Sequence, residues 1–209
     1  MTRGRFISLE GGEGVGKSTQ LRLLAAVLEE MGLEVVITRE PGGSPGGEAI
    51  RFMLLHGEDD RWTPRAEALL FAAARADHIE KLIKPALERG AWVISDRFLD
   101  SSLAYQGEAL GLGIDEIRAL HRFGSEDFLP DRTLYLTLPD EEGRLRAEKR
   151  DGEGADRIGG RDQEFHDRVA KGFERIAALD PVRVRKIDAK GRPEEVAERL
   201  FAELKDLLP

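Results

Sequence analysis

Short apolar runs alternate with amphipathic stretches along most of the chain. The runs are short enough for buried strands, and the stretches between them repeat apolar residues at helical spacing, as Leu21, Leu24 and Leu28 do. Strands that alternate with helices are typical of right-handed crossovers, which build a parallel sheet covered on both faces. We therefore predict an α/β fold of three layers, with a five-stranded parallel sheet flanked by helices. The predicted strands span 5–9, 35–38, 91–95, 133–138 and 182–187.

The longest predicted helix begins at Pro64 and extends to Glu88. No repeat or low-complexity linker divides the sequence, so we expect residues 1–209 to form a single domain. The most irregular stretch is 150–161, which is charged, rich in Gly and set between two helical patterns. This composition fits a solvated surface loop, and it also fits a helical lid segment if the site requires one.

Composition limits the classes of partner. The chain has 32 Lys and Arg against 40 Asp and Glu, a net charge of −8, which argues against general binding to nucleic acid or anionic lipid. No apolar run approaches the ~20 residues of a membrane span, and the lack of Cys excludes disulfides and thiol catalysis. We expect a cytoplasmic protein with no nucleic-acid or membrane partner. The 23 Gly, however, occur in clusters where backbone amides could face an anion.

One Gly cluster forms a phosphate-binding motif. Residues 11–18 match G-x-x-x-x-G-K-[ST] directly after a predicted strand and at the start of a helix. Gly lets successive N–H groups turn inward around phosphate oxygens, and the helix N-terminus adds positive charge. We expect Lys17 to reach the β- and γ-phosphates of ATP and the Ser18 hydroxyl to bind Mg²⁺. The expected ATP-binding residues are Gly11, Gly12, Glu13, Gly14, Val15, Gly16, Lys17, Ser18 and Thr19.

The sequence contains no Asn, which removes one large class of phosphate-loop proteins. GTPase switches read guanine with an Asn-Lys-x-Asp motif, and that motif cannot occur here. For a chain of this length, the remaining candidates are mostly small kinases that pass the γ-phosphoryl group to a small acceptor.

Two arginines mark the expected acceptor side. Arg39 follows the second predicted strand and Arg97 follows the third, directly after Asp96. Ligands of open parallel sheets bind beyond the carboxyl ends of the strands, so both arginines should face the crevice of the phosphate loop. A lone Arg is more often part of a surface ion pair, but two at these positions favour a clamp on an acceptor phosphate.

Longer segments resemble the thymidylate kinases, a family of P-loop nucleoside monophosphate kinases. The similar segments are 10–20, 39–43, 69–78 and 93–107, and the last resembles the family signature over its whole length. The resemblance implies the P-loop NTPase fold and the phosphorylation of dTMP to dTDP with ATP and Mg²⁺, in dTTP synthesis. It also implies a homodimer. Gly14 is similar to the bacterial type, in which an arginine of the lid acts on the transferring phosphoryl group.

The resemblance also implies a dTMP site. Phe71 matches the aromatic residue that stacks on thymine, and Arg75, one helical turn later, matches the Arg that donates to base O4. Core packing remains the alternative for Phe71. Tyr105 matches the ring that lies near sugar C2′, and Glu13 matches the acid that contacts the 3′-hydroxyl. The implied dTMP-binding residues are Glu13, Arg39, Phe71, Arg75, Arg97, Ser101, Tyr105 and Gln106.

The catalytic set implied by the resemblance includes one residue of the lid. Among the arginines of 150–161, Arg157 lies in the run most similar to the family's lid motif. Asp96 would hold Mg²⁺ through water or orient Arg97, unless it forms only a local ion pair. The implied catalytic residues are Lys17, Asp96, Arg97 and Arg157.

Two other functions remain open on sequence alone. One is a kinase for another small acceptor, such as UMP, CMP or a non-nucleotide alcohol. The other is a regulator that binds ATP without transferring phosphate. The adenine pocket is poorly marked, although the resemblance suggests the loop at 188–190.

Overall fold

A computed structural model describes residues 3–58, 60–139, 142–143, 145–146 and 156–209. Five parallel strands form one sheet in the order β2-β3-β1-β4-β5, with helices on both faces. The predicted five-stranded parallel sheet is therefore confirmed. The strands are β1 (Phe6–Glu10), β2 (Val35–Arg39), β3 (Trp92–Asp96), β4 (Arg132–Thr137) and β5 (Val184–Asp188).

Four strands end one residue later than the apolar pattern predicts, and in each case the added residue is charged. Arg39 pairs with Asp96 in the sheet, and Asp96 also pairs with Leu9. Backbone pairing therefore continues for one position beyond each apolar run, since it does not depend on the polarity of the side chain. The charged ends of β1, β2 and β3 consequently lie together at one edge of the sheet.

The helices follow the amphipathic stretches. The helix predicted over 64–88 is present, but a π-helical segment, Ile79–Ile83, separates its two α-helical parts. A second π-helical segment, Leu103–Ala109, continues directly from α5. None of the helices within the described ranges is long and apolar enough to cross a membrane. The α-helices are α1 (Lys17–Glu30), α2 (Pro45–Leu55), α3 (Pro64–His78), α4 (Lys84–Glu88), α5 (Leu99–Ser102), α6 (Ile114–Ser125), α7 (Gln163–Leu179) and α8 (Pro193–Ala202).

Capping residues explain where α2 and α3 begin. Ser44 and Thr63 each accept a backbone N–H of the first helical turn through their hydroxyl oxygens. Pro45 and Pro64 follow them at a position where the missing N–H of Pro costs no intrahelical hydrogen bond.

The sheet has an apolar core on each face. Neighbouring residues of β1 point to opposite faces, so Phe6 packs with α3 to α7 while Ile7 packs with α1 and α8. These two cores fix the phosphate-loop helix α1 on one face and the long helix α3 on the other. The charged ends of β1, β2 and β3 lie between them.

Candidate active site

A cavity of about 450 Å³ opens at the carboxyl ends of β1, β2 and β3. It brings together most of the site residues predicted from the sequence. The predicted residues that line it are Glu13, Gly14, Gly16, Lys17, Ser18, Thr19, Arg39, Phe71, Arg75, Asp96, Arg97, Ser101, Tyr105 and Gln106. Gly11, Gly12, Val15 and Arg157 are not among the lining residues.

The phosphate loop connects β1 to α1. Gly11 has a φ of 137°, and a Cβ at this position would lie only 2.5 Å from the carbonyl oxygen of Leu136, so only Gly fits. Lys17 Nζ donates to the carbonyl oxygens of Gly11 at 3.1 Å and Gly12 at 2.7 Å. Val15 packs into the core with α1, which anchors the loop. The loop is therefore held in a fixed shape with its lysine folded over it.

The pKa of Lys17 depends on its burial and on a neighbouring cation. Burial lowers the pKa of Lys17, and the nearby guanidinium of Arg97 lowers it further. A phosphate in this cavity would oppose both effects, because an anion beside Lys17 favours the charged amine. A bound anion would therefore raise the pKa of Lys17 again.

Ser18 and Asp96 supply a candidate Mg²⁺ site. The Ser18 hydroxyl donates to Asp96 Oδ2 at 3.0 Å, so two oxygen atoms suited to Mg²⁺ lie together on the cavity wall. Mg²⁺ in nucleotide sites keeps several waters and takes one or two protein oxygens together with phosphate oxygens. The pair fits that requirement.

Arg97 is the most constrained charged residue of the cavity. Its φ of 72° is in the left-handed region, which non-glycine residues seldom occupy. One guanidinium nitrogen donates to Gly11 O and Ser101 Oγ, both at 3.0 Å, and the other donates to Glu13 at 2.5 Å. The guanidinium also lies 5.1 Å from the ring centroid of Tyr105. Arg97 is thus held between the phosphate loop and the helix that carries Tyr105.

Sequence reasoning missed Glu10, the last residue of β1. It is fully buried, and its carboxyl group accepts the backbone N–H of Phe98 at 2.8 Å and the hydroxyl of Ser101 at 2.6 Å. These contacts fix the segment that directly follows the strained residue Arg97. Burial raises the pKa of Glu10 to about 8, and the nearby Asp100 adds to the shift.

The raised pKa of Glu10 predicts a pH effect on stability. The folded protein holds this proton more tightly than the unfolded chain, so the stabilising contribution is complete below pH 4.5 and disappears as the pH rises to about 8. Glu10→Gln removes the titration. We expect the free energy of unfolding of the wild-type protein, relative to that of the variant, to decrease between pH 5 and 8 in urea titrations. A difference that stays constant over this range would contradict the assignment.

Arg39 lies at the rim of the cavity. Its guanidinium forms a two-point ion pair with Glu48 of α2, at 2.9 and 3.0 Å, and just over half of its side chain is exposed. Arg39 therefore agrees with both interpretations of the sequence, because it makes a surface ion pair and also lines the cavity. Its exposure leaves room for a phosphate to replace Glu48.

Arg75 and Phe71 line the opposite wall from α3. Arg75 is buried, and it donates to Glu40 at 2.7 Å and to the Ser102 hydroxyl at 2.8 Å. The other oxygen of Glu40 lies 3.1 Å from His78 Nδ1, so the carboxylate that holds Arg75 is itself held. Phe71 packs partly against the core and partly lines the cavity. Of these residues, Glu40 and Ser102 were missed by sequence reasoning.

The structure does not bring Arg157 to the cavity. Its guanidinium is fully buried and donates to Glu67 of α3 and to Leu54 O. The buried carboxylate of Glu67 requires a cation, and Arg157 satisfies that requirement. Residues 150–155 of the expected lid, with Arg150, lie outside the described residues.

Two other arginines line the cavity and were missed. Arg51 of α2 donates to Pro41 O at 2.9 Å, and Arg146 lies on the helical stretch before the expected lid. A Cβ on nearby Gly143 would lie 3.3 Å from Glu13 O, which places that stretch against the phosphate loop. Arg146 precedes the expected lid by four residues, so the candidate lid arginines of 150–161 did not include it.

The strand, phosphate loop and helix, facing strand-end arginines across one cavity, define the class of small P-loop kinases. A sequence model of the family described as Thymidylate kinase matches residues 9–200. The chain therefore belongs to the thymidylate kinase family, and it is a kinase that phosphorylates dTMP to dTDP. The resemblance stated from the motifs is confirmed.

Individual relatives agree with this assignment. A thymidylate kinase of Rhizorhabdus wittichii is 60% identical over 206 residues, which cover 99% of both sequences. A thymidylate kinase of Gluconobacter oxydans is 50% identical over 202 residues, covering 95% of this chain and 93% of the relative. The crystal structure of thymidylate kinase from Ehrlichia chaffeensis superimposes with a TM-score of 0.77 at 33% identity, covering 97% of this chain and 99% of that one.

Proposed function

We propose that this chain transfers the γ-phosphoryl group of MgATP reversibly to the 5′-phosphate of dTMP, with both nucleotides meeting in the cavity at the carboxyl ends of β1, β2 and β3. The observation that carries the proposal is that Lys17 and the pair Phe71 and Arg75 line the same cavity. ATP phosphates would bind the phosphate loop, and thymine would bind against Phe71 with Arg75 donating to O4. Cytosine carries an amino group at that position, so an Arg donor selects against it.

Positioning and charge neutralisation account for the chemistry. The attacking oxygen belongs to a phosphate whose second pKa is about 6, so it is already mostly ionised at neutral pH and requires no strong general base. Lys17 would neutralise the β- and γ-phosphates, while Arg97 and Arg39 would hold the acceptor phosphate in line. Glu13, which already holds Arg97, would contact the 3′-hydroxyl of the acceptor.

Ser18 and Asp96 would hold Mg²⁺, directly and through water. When bound, the ion neutralises charge on the β- and γ-phosphate oxygens of ATP. Because the Ser18 hydroxyl already lies within hydrogen-bond distance of Asp96, the protein side of this site requires little rearrangement.

The arginine that supplies positive charge beside the transferring phosphoryl group has to be chosen again. Arg157 would have to leave its buried position and its ion pair with Glu67 to reach the phosphates, so that this buried carboxylate would keep Arg161 but lose one of its two guanidinium partners. Arg146 and Arg51 already line the cavity. We assign the phosphoryl contact to these two arginines and a structural role to Arg157.

The oligomeric state and the location in the cell are proposed from the family resemblance, and one surface feature supports the proposed dimer. Leu69 of α3 and Phe123 of α6 are exposed by 56% and 94%, and these two helices pack side by side. We propose that this face forms the homodimer contact of the family. We further propose that residues 1–209 act as one domain in the cytoplasm, and that the loop at 188–190 borders the adenine.

Single-turnover mixing tests the proposed reaction against an ATP-binding regulator. Enzyme in excess is mixed with γ-labelled ATP, Mg²⁺ and dTMP, and the products are separated. We expect the label to move to dTDP. Label that remains on ATP, with ATP bound, would favour the regulator.

Replacing Arg75 tests the base contact. We expect Arg75→Ala to raise the KM for dTMP by about 10- to 100-fold, because a hydrogen bond to a charged group is worth roughly 1.5–3 kcal/mol. Steady-state kinetics with ADP detection measure the effect. The KM for ATP is the internal control and should stay within about twofold. A large change in both KM values would indicate a general loss of structure instead.

A further inference from the structure

A buried carboxylate, Glu67 of α3, connects the acceptor side of the cavity to the end of the expected lid. Its side chain has no appreciable solvent exposure. One oxygen accepts from the guanidinium groups of Arg157 and Arg161, at 2.5 and 2.6 Å. The other accepts from Gln106 Nε2 at 3.0 Å. Glu67 therefore joins residues from three separate parts of the chain.

Two arginines surround one oxygen of Glu67. A buried carboxylate is stable only when it is paired and hydrogen-bonded, and here two guanidinium groups surround one of its oxygens. Arg157 is held in place by a second bond, from its Nε to Leu54 O at 2.8 Å. Arg161 is held by Phe165, whose ring centroid lies 4.6 Å from the guanidinium carbon. Both oxygens of Glu67 consequently act as hydrogen-bond acceptors in this arrangement.

An acceptor at position 67 decides the orientation of Gln106. A carboxamide has a donor end and an acceptor end, and only the donor end can bond to a carboxylate. With Nε2 directed at Glu67, Oε1 is the end left for the cavity that Gln106 lines. Gln106 is 1% exposed, so it has little freedom to turn over.

We infer that Glu67 is a positioning residue that directs Nε2 of Gln106 toward itself, so that Gln106 presents its Oε1 to the acceptor nucleotide. The site at Gln106 would then favour a ligand group that donates a hydrogen bond, such as a ring N–H or a sugar hydroxyl, over a group that only accepts. The inference rests on the proposed function, because it assigns the acceptor nucleotide to this part of the cavity. It also gives Arg157 and Arg161 a function that does not require contact with phosphate.

The first test observes the carboxamide directly and requires no substrate. The chain has three Gln and no Asn, so the side-chain amide region of a ¹⁵N–¹H spectrum of the full chain contains only three pairs of signals. Gln106→Leu identifies the pair of Gln106, and Gln163→Leu identifies an exposed control on α7. We expect the Gln106 amide protons to exchange with solvent at least about tenfold more slowly than those of Gln163. Equal exchange rates would overturn the inference, even if the protein phosphorylates dTMP.

The second test follows the acceptor. Glu67→Gln keeps the size of the side chain but allows it to donate or accept, so the hydrogen bond to it no longer fixes one orientation of Gln106. We expect the KM for dTMP to rise about tenfold while the KM for ATP changes less than about twofold. Gln106→Leu should have a similar effect, and the double variant should be no worse than Gln106→Leu alone, because Glu67 acts through Gln106.

The other possible results separate a failure of the positioning role of Glu67 from a failure of the proposed function. An unchanged KM for dTMP in Glu67→Gln would overturn the role of Glu67 in positioning. The same conclusion would follow if the KM increase of the double variant equalled the product of the increases in Glu67→Gln and Gln106→Leu. If Glu67→Gln does not fold, titrating wild-type protein with dTMP replaces it, and the Gln106 amide signals should shift while those of Gln163 stay fixed. Shifts confined to other residues would contradict the inference. Wild-type protein that binds no dTMP would contradict the proposed function, while the exchange measurement would still test Glu67.

Discussion

Lys17→Met should lower kcat by about 10²–10³-fold, the largest loss expected for any single side chain of the site. Lys17 Nζ lies over the phosphate loop, bonded to two of its carbonyl oxygens, where the β- and γ-phosphates of ATP are expected to replace those contacts. Met matches the length of the lysine stem without its charge, so the loss measures charge neutralisation. A coupled assay of ADP release with saturating dTMP measures kcat.

An exposed lysine supplies the control for this substitution. Lys171 lies on the solvent-exposed side of α7, outside the cavity lining, and Lys171→Met removes the same charge from the whole protein. Its kcat should equal that of the wild-type protein. If Lys17→Met retained more than about a tenth of the wild-type kcat, the phosphate loop would not be the donor site proposed here.

Arg97→Met should lower kcat/KM for dTMP by about 10²-fold. Arg97 contacts the phosphate loop through Gly11 O and Glu13, and it borders the acceptor side through Tyr105, so its loss affects both substrates. Arg97→Lys should recover only part of the activity, because an ammonium group cannot make two parallel bonds to a phosphate. Initial rates at several dTMP concentrations give kcat/KM.

A control for this effect lies at the other end of the sheet. Arg89 precedes β3 and forms an exposed ion pair with Glu34, and Arg89→Met should leave kcat/KM unchanged. An Arg97→Met variant with wild-type kcat/KM, folded as judged by circular dichroism, would contradict the acceptor clamp.

Local patterns in the sequence were sufficient for the fold and for the centre of the site. The apolar runs predicted the parallel sheet, and a parallel sheet brings its carboxyl ends to one edge, so Arg39, Asp96 and Arg97 were expected near the phosphate loop and line its cavity. The prediction succeeded because each of these residues lies next to a strand or motif whose position in the fold is fixed by topology.

Residues that depend on distant partners were not predictable in the same way. Glu10 follows an apolar strand and precedes a Gly cluster, and nothing local indicates that Phe98 and Ser101 will bond to its carboxyl group. Arg157 lies 90 positions from Glu67, and their ion pair results from the packing of α3 against residues near the end of the expected lid. The family resemblance therefore implied a phosphate contact for an arginine whose side chain lies against Glu67 in this structure.

Net charge was similarly uninformative about the site. The chain carries a formal charge of −8, yet Lys17, Arg39, Arg51 and Arg97 all line one cavity. The acidic residues near them, such as Glu48 and Glu13, hold individual arginines in position. Acidic balance describes the surface of this protein and does not exclude anionic ligands in the cavity.

The most direct test of the central claim is the rate of ADP release, with MgATP fixed, over a panel of nucleoside monophosphates that includes dTMP, UMP, CMP and dCMP. A cavity with Phe71 and Arg75 on the base side and Tyr105 near the sugar predicts the highest kcat/KM for dTMP. UMP and the cytosine nucleotides should be clearly poorer, the first because of its ribose hydroxyl and the others because of the amino group opposite Arg75. A higher kcat/KM for any other acceptor in the panel would contradict the account.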